Sequence, residues 1–260
     1  MNLGIIGGFT EDEFRLTSER GLDSIEFDIN ENANVPSFIE MTDKINRWIA
    51  KYGVEVCAVG QWGTTRILPD GSINKAQMDI EKQLIDAADE VGCHVYITGV
   101  NYISSFSFEQ NCAFAIAYLS ELTAYALPHG VRVCVYNCAY NSFVVCDPAW
   151  DIILAAVPEL GIKYDPSHAI ENGRDYKAEM AKWVERIYHV HAKGTLKLSN
   201  DWEFPPAGLD ETDWRWISGL LYTFDYEGAI SLEPHSFRWQ NEKSDRGILY
   251  SVKYLRSLQI

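Results

Sequence analysis

MDIEKQLIDAADEVGCHVYITG, residues 78–99, changes from one periodicity to another across a single glycine. Ile80, Leu84, Ala87, Ala88 and Val91 recur at helical spacing on one face, with acids on the other. Gly92 follows, the residue type that turns left-handed just past a helix and satisfies its last carbonyls. HVYITG then reads as a short buried strand. The same order recurs along the chain. Gly21-Leu22 precedes DSIEFDI, Gly53-Val54 precedes EVCAVG, Gly130-Val131 precedes RVCVYN, and Gly161-Ile162 precedes KYD. Gly228-Ala229 before ISLE is a looser copy.

With LGIIGG near the N-terminus and RIYHVHAKG ending at Gly194, the pattern yields strands beginning near residues 2, 23, 54, 94, 131, 161, 187 and 229. Their spacing is the thirty or so residues that a strand plus a crossover helix needs. Short apolar strands alternating with helices imply parallel strands covered on both faces. A doubly wound open sheet would carry a glycine-rich phosphate loop after its first strand. IIGGFTEDEF at that position lacks the third glycine and holds three acids. The expected fold is therefore α/β: one (β/α)8 TIM barrel, a single domain spanning 1–260.

A net charge of −15 opposes any polyanionic partner, because nucleic-acid binding needs a basic face to displace counterions. No run of about eighteen apolar residues suggests a membrane span. MNLGIIGGFTEDEF has no basic leader region, so a cytoplasmic protein is expected. Six cysteines without a CxxC pair read as reduced thiols, with Cys138 alone placed where chemistry is conceivable.

Barrel chemistry sits at the C-terminal ends of strands. The polar residues there are Glu26 and Asp28, Gln61 and Trp62, Thr98 and Asn101, then Tyr136-Asn137-Cys138. The last three strands end in Asp165-Pro-Ser-His168, His189-Val-His191-Ala-Lys193 and Glu233-Pro-His235. Any one of these acids or imidazoles has an ordinary explanation as a helix cap, salt-bridge partner or satisfied core residue. Asp, His and Glu on three successive strands can instead converge on one cation. Carboxylate and imidazole donors without thiolate suit Mn²⁺ best, with Mg²⁺, Co²⁺ or Zn²⁺ also compatible.

GIKYDPSHAI (161–170), IYHVHAKG (187–194) and GAISLEPH (228–235) resemble strands six, seven and eight of the xylose-isomerase-like barrel family. GLDSIEFDI (21–29) and GVRVCVYNC (130–138) resemble its second and fifth. That family includes sugar epimerases, inosose dehydratases, hydroxypyruvate isomerases and endonuclease IV relatives. The resemblance implies metal ligation by Asp165, His191 and Glu233. It places His168 against substrate oxygen or metal-bound water, and Lys193 beside the substrate. One departure stands out. The family's strand-five glutamate, both ligand and base, is replaced here by Tyr136, although Asn137 keeps the asparagine that follows it.

These readings lead to a metal-dependent enzyme acting on a sugar, cyclitol or related polyol, removing a proton next to a carbonyl. Glu233 would be ligand and base, and His168 a proton shuttle. Losing the strand-five carboxylate favours one-sided chemistry, isomerisation or elimination, over two-base epimerisation. Lys193, Arg238, Trp62, Tyr136, Asn137 and His235 are the candidate substrate contacts, Arg238 for a carboxylate or phosphate. Tyr102, Trp202 and Trp239 could add stacking surface, and 195–214 could cover the mouth. The alternative is a catalytically degenerate barrel that binds carbohydrate or a partner subunit. The partner expected is a small molecule, with neither nucleic acid nor membrane, and homo-oligomers are common among such barrels. Abasic-site cleavage would need a basic groove and more histidines than the six present.

Overall fold

The computed structural model describes residues 1–199 and 201–260. Eight parallel strands close into a barrel. They are β1 (Asn2–Gly7), β2 (Ser24–Asp28), β3 (Glu55–Gly60), β4 (Val95–Thr98), β5 (Arg132–Tyr136), β6 (Gly161–Tyr164), β7 (Ile187–Ala192) and β10 (Ala229–Leu232). Pairing of Asn2 with Ala229 and Ile5 with Leu232 closes the ring. The remaining two strands, β8 (Leu196–Lys197) and β9 (Trp202–Glu203), form a small antiparallel hairpin within the excursion after β7. Asn200, inside that excursion, lies outside the described residues.

The outer ring consists of α1 (Glu11–Glu19), α2 (Val35–Tyr52), α3 (Lys75–Glu90), α4 (Phe108–Ala126), α5 (Ala149–Ala156), α6 (Pro166–Glu171), α7 (Tyr176–Trp183), α8 (Trp214–Thr223) and α9 (Glu242–Arg256). Among the described residues no helix is long and apolar enough to cross a membrane. Helix starts follow from local chemistry. Ser107 and Gln110 form a reciprocal capping box for α4, and Asp175 accepts two backbone N–H groups at the start of α7.

Gly21, Gly53, Gly92 and Gly130 have φ between 65° and 74°, the left-handed turn that the repeated pattern requires. Gly161 and Gly228 do not. A Cβ on Gly161 would lie 2.6 Å from the Tyr188 ring, and one on Gly228 would lie 2.5 Å from the Tyr188 carbonyl oxygen. These two glycines admit close neighbours instead of reversing the chain. A second difference concerns α3, where Glu81 joins the buried face. The side chains of Glu81 and Arg66 are both fully buried and pair at 2.8 Å, with Thr98 and Tyr118 also donating to Glu81. A buried carboxylate is tolerated when cation and donors satisfy it.

Along β6, Ile162 and Tyr164 pack outward into the helix layer, while Lys163 and then Asp165 face inward. Register slips occur between Ile25 and Glu26 against β3, and between Ile162 and Lys163 against β7. Such slips re-aim side chains where a barrel carries polar groups. The second slip brings Lys163 level with His189, and in unbroken register Lys163 pairs with Tyr136 on its other side.

Candidate active site

The C-terminal ends of the strands surround a cavity of about 540 Å³. Asp28, Trp62, Lys163, His191, Lys193 and Glu233 are among the side chains lining it. Each comes from a strand or lies within two residues of its end, so a rigid sheet fixes its position.

His191 is central. Its Nε2 lies 2.8 Å from Glu26 Oε1, and its Nδ1 lies 2.7 Å from Glu233 Oε2. Glu26 also accepts a hydrogen bond from His189 Nε2 at 2.7 Å. Burial depresses the His191 pKa, but Glu26 and Glu233 more than compensate and lift it to about 9. Burial also acts against the Glu26 charge, yet the His191 and His189 contacts hold its carboxyl well below the usual range. His189 has no second carboxylate, and burial pushes its pKa down. It therefore donates from Nε2 as a neutral ring.

Asp165 caps α6, accepting from Ser167 N at 2.8 Å through Oδ1. Its Oδ2 is buried without a hydrogen bond, 3.4 Å from His168 Nε2 and 3.5 Å from Lys193 Nζ. Lys193 Nζ also lies 3.6 Å from Glu233 Oε1. Burial opposes ionisation of both Asp165 and Glu233, but several cations together outweigh it, Lys193 with His168 and Lys163 at Asp165 and Lys193 with His191 and Lys163 at Glu233, keeping both carboxyls below their usual values. Burial disfavours the His168 imidazolium, but Asp165, Cys138 and Glu171 raise its pKa to about 9. Burial raises the Cys138 thiol pKa and His168 more than reverses this, leaving it below its ordinary value. Asp28 makes no ion pair among the described residues; it is exposed at the cavity mouth, where desolvation by the surrounding wall and the Glu26 charge raise its carboxyl to about 7.

One ligand atom from each of Asp165, His191 and Glu233 lies within 4.8 Å of the others. The set fits a divalent cation on two counts. Asp165 Oδ2 is an unsatisfied buried acceptor, and His191 offers Nδ1 while its Nε2 is held by a carboxylate, the usual support behind a metal-bound histidine. Glu26, His189 and His191 form a second cluster of the same size, wholly buried, with Glu26 shared between both rings.

The other candidates from the sequence divide into those that face the cavity and those that do not. Trp62, His168 and His235 line it along with Lys193. His235 is exposed, with Nδ1 3.5 Å from Glu233 Oε1 and its ring edge-on to Phe204. Tyr136 stacks on Trp62 at 5.5 Å and donates its hydroxyl to the Tyr140 carbonyl at 2.9 Å. Its oxygen is thus committed to the loop after β5. Asn137 bridges the Asp165 backbone, donating to its carbonyl at 2.8 Å and accepting from its N–H at 2.9 Å, so it positions the aspartate. Arg238 pairs with Glu203 and stands outside the cavity lining, as do Tyr102, Trp202 and Trp239. The excursion after β7 places Phe204 under Lys193, with the ammonium 5.0 Å from the ring centre.

Lys163 and Tyr140 face the cavity without having been singled out from the sequence, and Asp28, read there as a strand-end acid with no role given, joins them. The available signal was strand parity: Lys163 lies two residues before Asp165, and Asp28 two after Glu26, so each shares its neighbour's inward face.

No curated protein matches the sequence closely enough to count as a relative. Solved structures resemble the fold over almost its whole length. A 3-keto-D-glucoside 4-epimerase from E. coli is 15% identical, with 99% of each chain covered and a TM-score of 0.78. A D-psicose 3-epimerase determined in the presence of D-fructose is 14% identical, with 99% of each covered and a TM-score of 0.81. The IOLI protein with a bound zinc atom is 15% identical, covering 99% of this chain and 98% of that one, at a TM-score of 0.76. The family model described as xylose isomerase-like TIM barrel matches residues 14–258, and the chain belongs to that family.

Proposed function

We propose that this barrel catalyses proton transfer at a carbon beside a carbonyl of a sugar, cyclitol or related polyol, with a divalent metal held by Asp165, His191 and Glu233. The observation that carries the reading is the convergence of those three side chains, from three neighbouring strands, at the edge of an open cavity. Epimerases among the structural neighbours, and the neighbour with bound zinc, support it. The bound cation would supply Lewis-acid polarisation of substrate oxygens.

The chain's own groups would do the rest. Glu26 holds His191 in one orientation through Nε2, leaving Nδ1 for ligation. Lys193 sits between Asp165 and Glu233 and offsets negative charge that develops on substrate oxygen. Trp62 offers a flat apolar face for a sugar ring, stiffened by its stack on Tyr136. Glu233 is ionised and borders the cavity, placed to accept a carbon-bound proton. Asp28, titrating at about 7, is matched to exchange protons at neutral pH. Tyr136 contributes no carboxylate, so a proton leaves and returns through groups on the Glu233 and Asp28 side. Isomerisation or elimination follows more readily from that arrangement than two-base epimerisation.

The test is hydrogen–deuterium exchange at the carbon next to the carbonyl of keto-sugars and keto-cyclitols, measured by NMR in D₂O with added Mn²⁺. Exchange should require the metal and fall by at least about a hundredfold in Glu233→Gln. Equal exchange in that variant overturns the assignment of Glu233. No exchange with any such compound, in a folded and metal-loaded protein, favours the binding-only alternative.

A further inference from the structure

Lys163 is an anomaly in charge terms. It is 1% exposed, among the largest fully buried side chains, and it lines the cavity. Lysine is almost never fully buried without a partner, because stripping water from an ammonium costs several kcal/mol. The other basic side chains facing this cavity have carboxylate partners. Lys193 has Asp165 and Glu233, His191 has Glu26 and Glu233, His168 has Asp165 and Glu171, and His235 has Glu233. Among the described residues Lys163 makes no direct ion pair and no side-chain hydrogen bond, although its charge acts through space on Asp28, Asp165 and Glu233; the Tyr136 hydroxyl goes to Tyr140 and His189 Nε2 to Glu26. The Lys163 ammonium borders the cavity with no side-chain acceptor of its own.

We infer that Lys163 anchors a carboxylate of the substrate, so that the cavity takes acidic sugars in preference to neutral ones. The inference deepens the proposed function and rests on it only for the substrate being a sugar. A hydroxyl could lend a lone pair to the ammonium. An anionic oxygen would give the ammonium the direct charged acceptor that no side chain supplies, and hydrogen bonds to charged groups are the stronger kind. A phosphate is the poorer fit. The cavity wall offers no arginine, since Arg238 is bound to Glu203 outside it, and a dianion would face Asp28, Asp165 and Glu233 together. A carboxylate carries a single charge and is satisfied by one ammonium. The register slip beside Lys163 is what sets its side chain level with the inward-facing His189.

Isothermal titration with matched sugars tests this without requiring turnover. D-galacturonate and D-galactose differ only in a carboxylate for a hydroxymethyl group, as do D-glucuronate and D-glucose. At least one acid should bind the wild type at least about tenfold more tightly than its neutral partner, equivalent to about 1.4 kcal/mol. Lys163→Met should erase the difference without lowering the thermal midpoint, since it replaces a buried charge with an apolar chain of similar shape. Lys163→Gln provides a second neutral variant, and the wild-type ratio stands even if neither folds. D-galactose 6-phosphate should gain less than galacturonate. Equal binding of acid and neutral sugar, no binding of either acid, a larger gain for the phosphate, or a preference surviving in a folded Lys163→Met would each overturn the inference. Lys163-dependent binding of acids without proton exchange would sink the proposed reaction and leave this inference standing. Exchange on neutral ketoses, unaffected by Lys163→Met, would do the reverse.

Discussion

Replacing Glu26 with glutamine removes one charge and leaves the shape of the barrel floor nearly unchanged. Glu26 is fully buried and accepts from His189 Nε2 at 2.7 Å and from His191 Nε2 at 2.8 Å. A glutamine retains one accepting oxygen and turns two N–H donors toward the second ring, which also donates. One charge-assisted bond is lost, a donor is left unmet, and the remaining bond weakens. The expected loss of folding stability is roughly 2–4 kcal/mol, measured by urea unfolding of metal-free protein. The effect has a pH window. Glu26 sits well below its ordinary 4.5, while His191 is lifted from 6.5 to about 9, so between 4.5 and 6.5 both contributions are fully present. The carboxylate contribution is lost as pH falls through the depressed Glu26 value, and the imidazolium contribution as pH rises through about 9. Metal binding should weaken as well. Carboxylates behind a ligating histidine typically contribute about 10- to 100-fold in affinity, about 1.4–2.8 kcal/mol. Losing Glu26 also lowers the His191 pKa and so relieves proton competition at neutral pH. The comparison is therefore made on the high-pH plateaus of Mn²⁺ or Zn²⁺ titrations across a pH series. Wild-type plateau affinity in a folded Glu26→Gln would refute the role given to Glu26.

Three other predictions concern the same architecture. Asp165→Asn keeps a helix-capping side chain but removes the charged ligand, so metal content by elemental analysis should fall at least about tenfold while the fold is retained. Wild-type affinity for metal should rise with pH and level off near 9, because the cation must displace the proton that His191 holds up to about 9; a flat profile would contradict His191 as ligand. Tyr136→Phe should leave metal content unchanged and cost about 1 kcal/mol by urea unfolding, since its hydroxyl is bonded to Tyr140, and loss of metal would instead make Tyr136 a ligand.

The strand–helix repeat was legible because it is local. A helix face, a capping glycine and a short apolar run each depend on residues within one turn or one strand. Strand starts read near 23, 54, 94 and 131 fall one residue before the observed Ser24, Glu55, Val95 and Arg132. Gly161 and Gly228 were read as helix caps because the alphabet of the motif is the same. Their actual use, close approach to Tyr188, depends on a residue more than twenty positions away. Glu81 was placed with the solvated acids for a similar reason. Its partner Arg66 lies in the loop after β3, where helical periodicity carries no information.

The candidate site divides along the same line. Asp165, His191 and Glu233 were readable as strand-terminal residues, and the barrel's closure brings their ligand atoms together. Lys163 was hidden in a run that read as ordinary strand, since a lone lysine is normally solvated, and Asp28 was legible as a strand-end acid but not as part of the cavity wall. Arg238 looked suited to an anion, yet Glu203 on β9 holds it, and no spacing rule foretells that pairing. Asn137 was legible as a residue but not as a clamp on the Asp165 backbone.

By itself the sequence determined the (β/α)8 order, the ends of the strands where chemistry could sit, and a charge that opposes polyanionic partners. Each follows from local periodicity or from a sum over residues. Only the tertiary structure decided which polar groups are paired. It ties His191 between Glu26 and Glu233, spends the Tyr136 hydroxyl on Tyr140, and leaves the buried Lys163 without a direct ion-pair partner among the described residues. Pairing depends on distances across the barrel between residues more than a hundred positions apart, such as Glu26 and His191, and burial makes those few ångströms decisive.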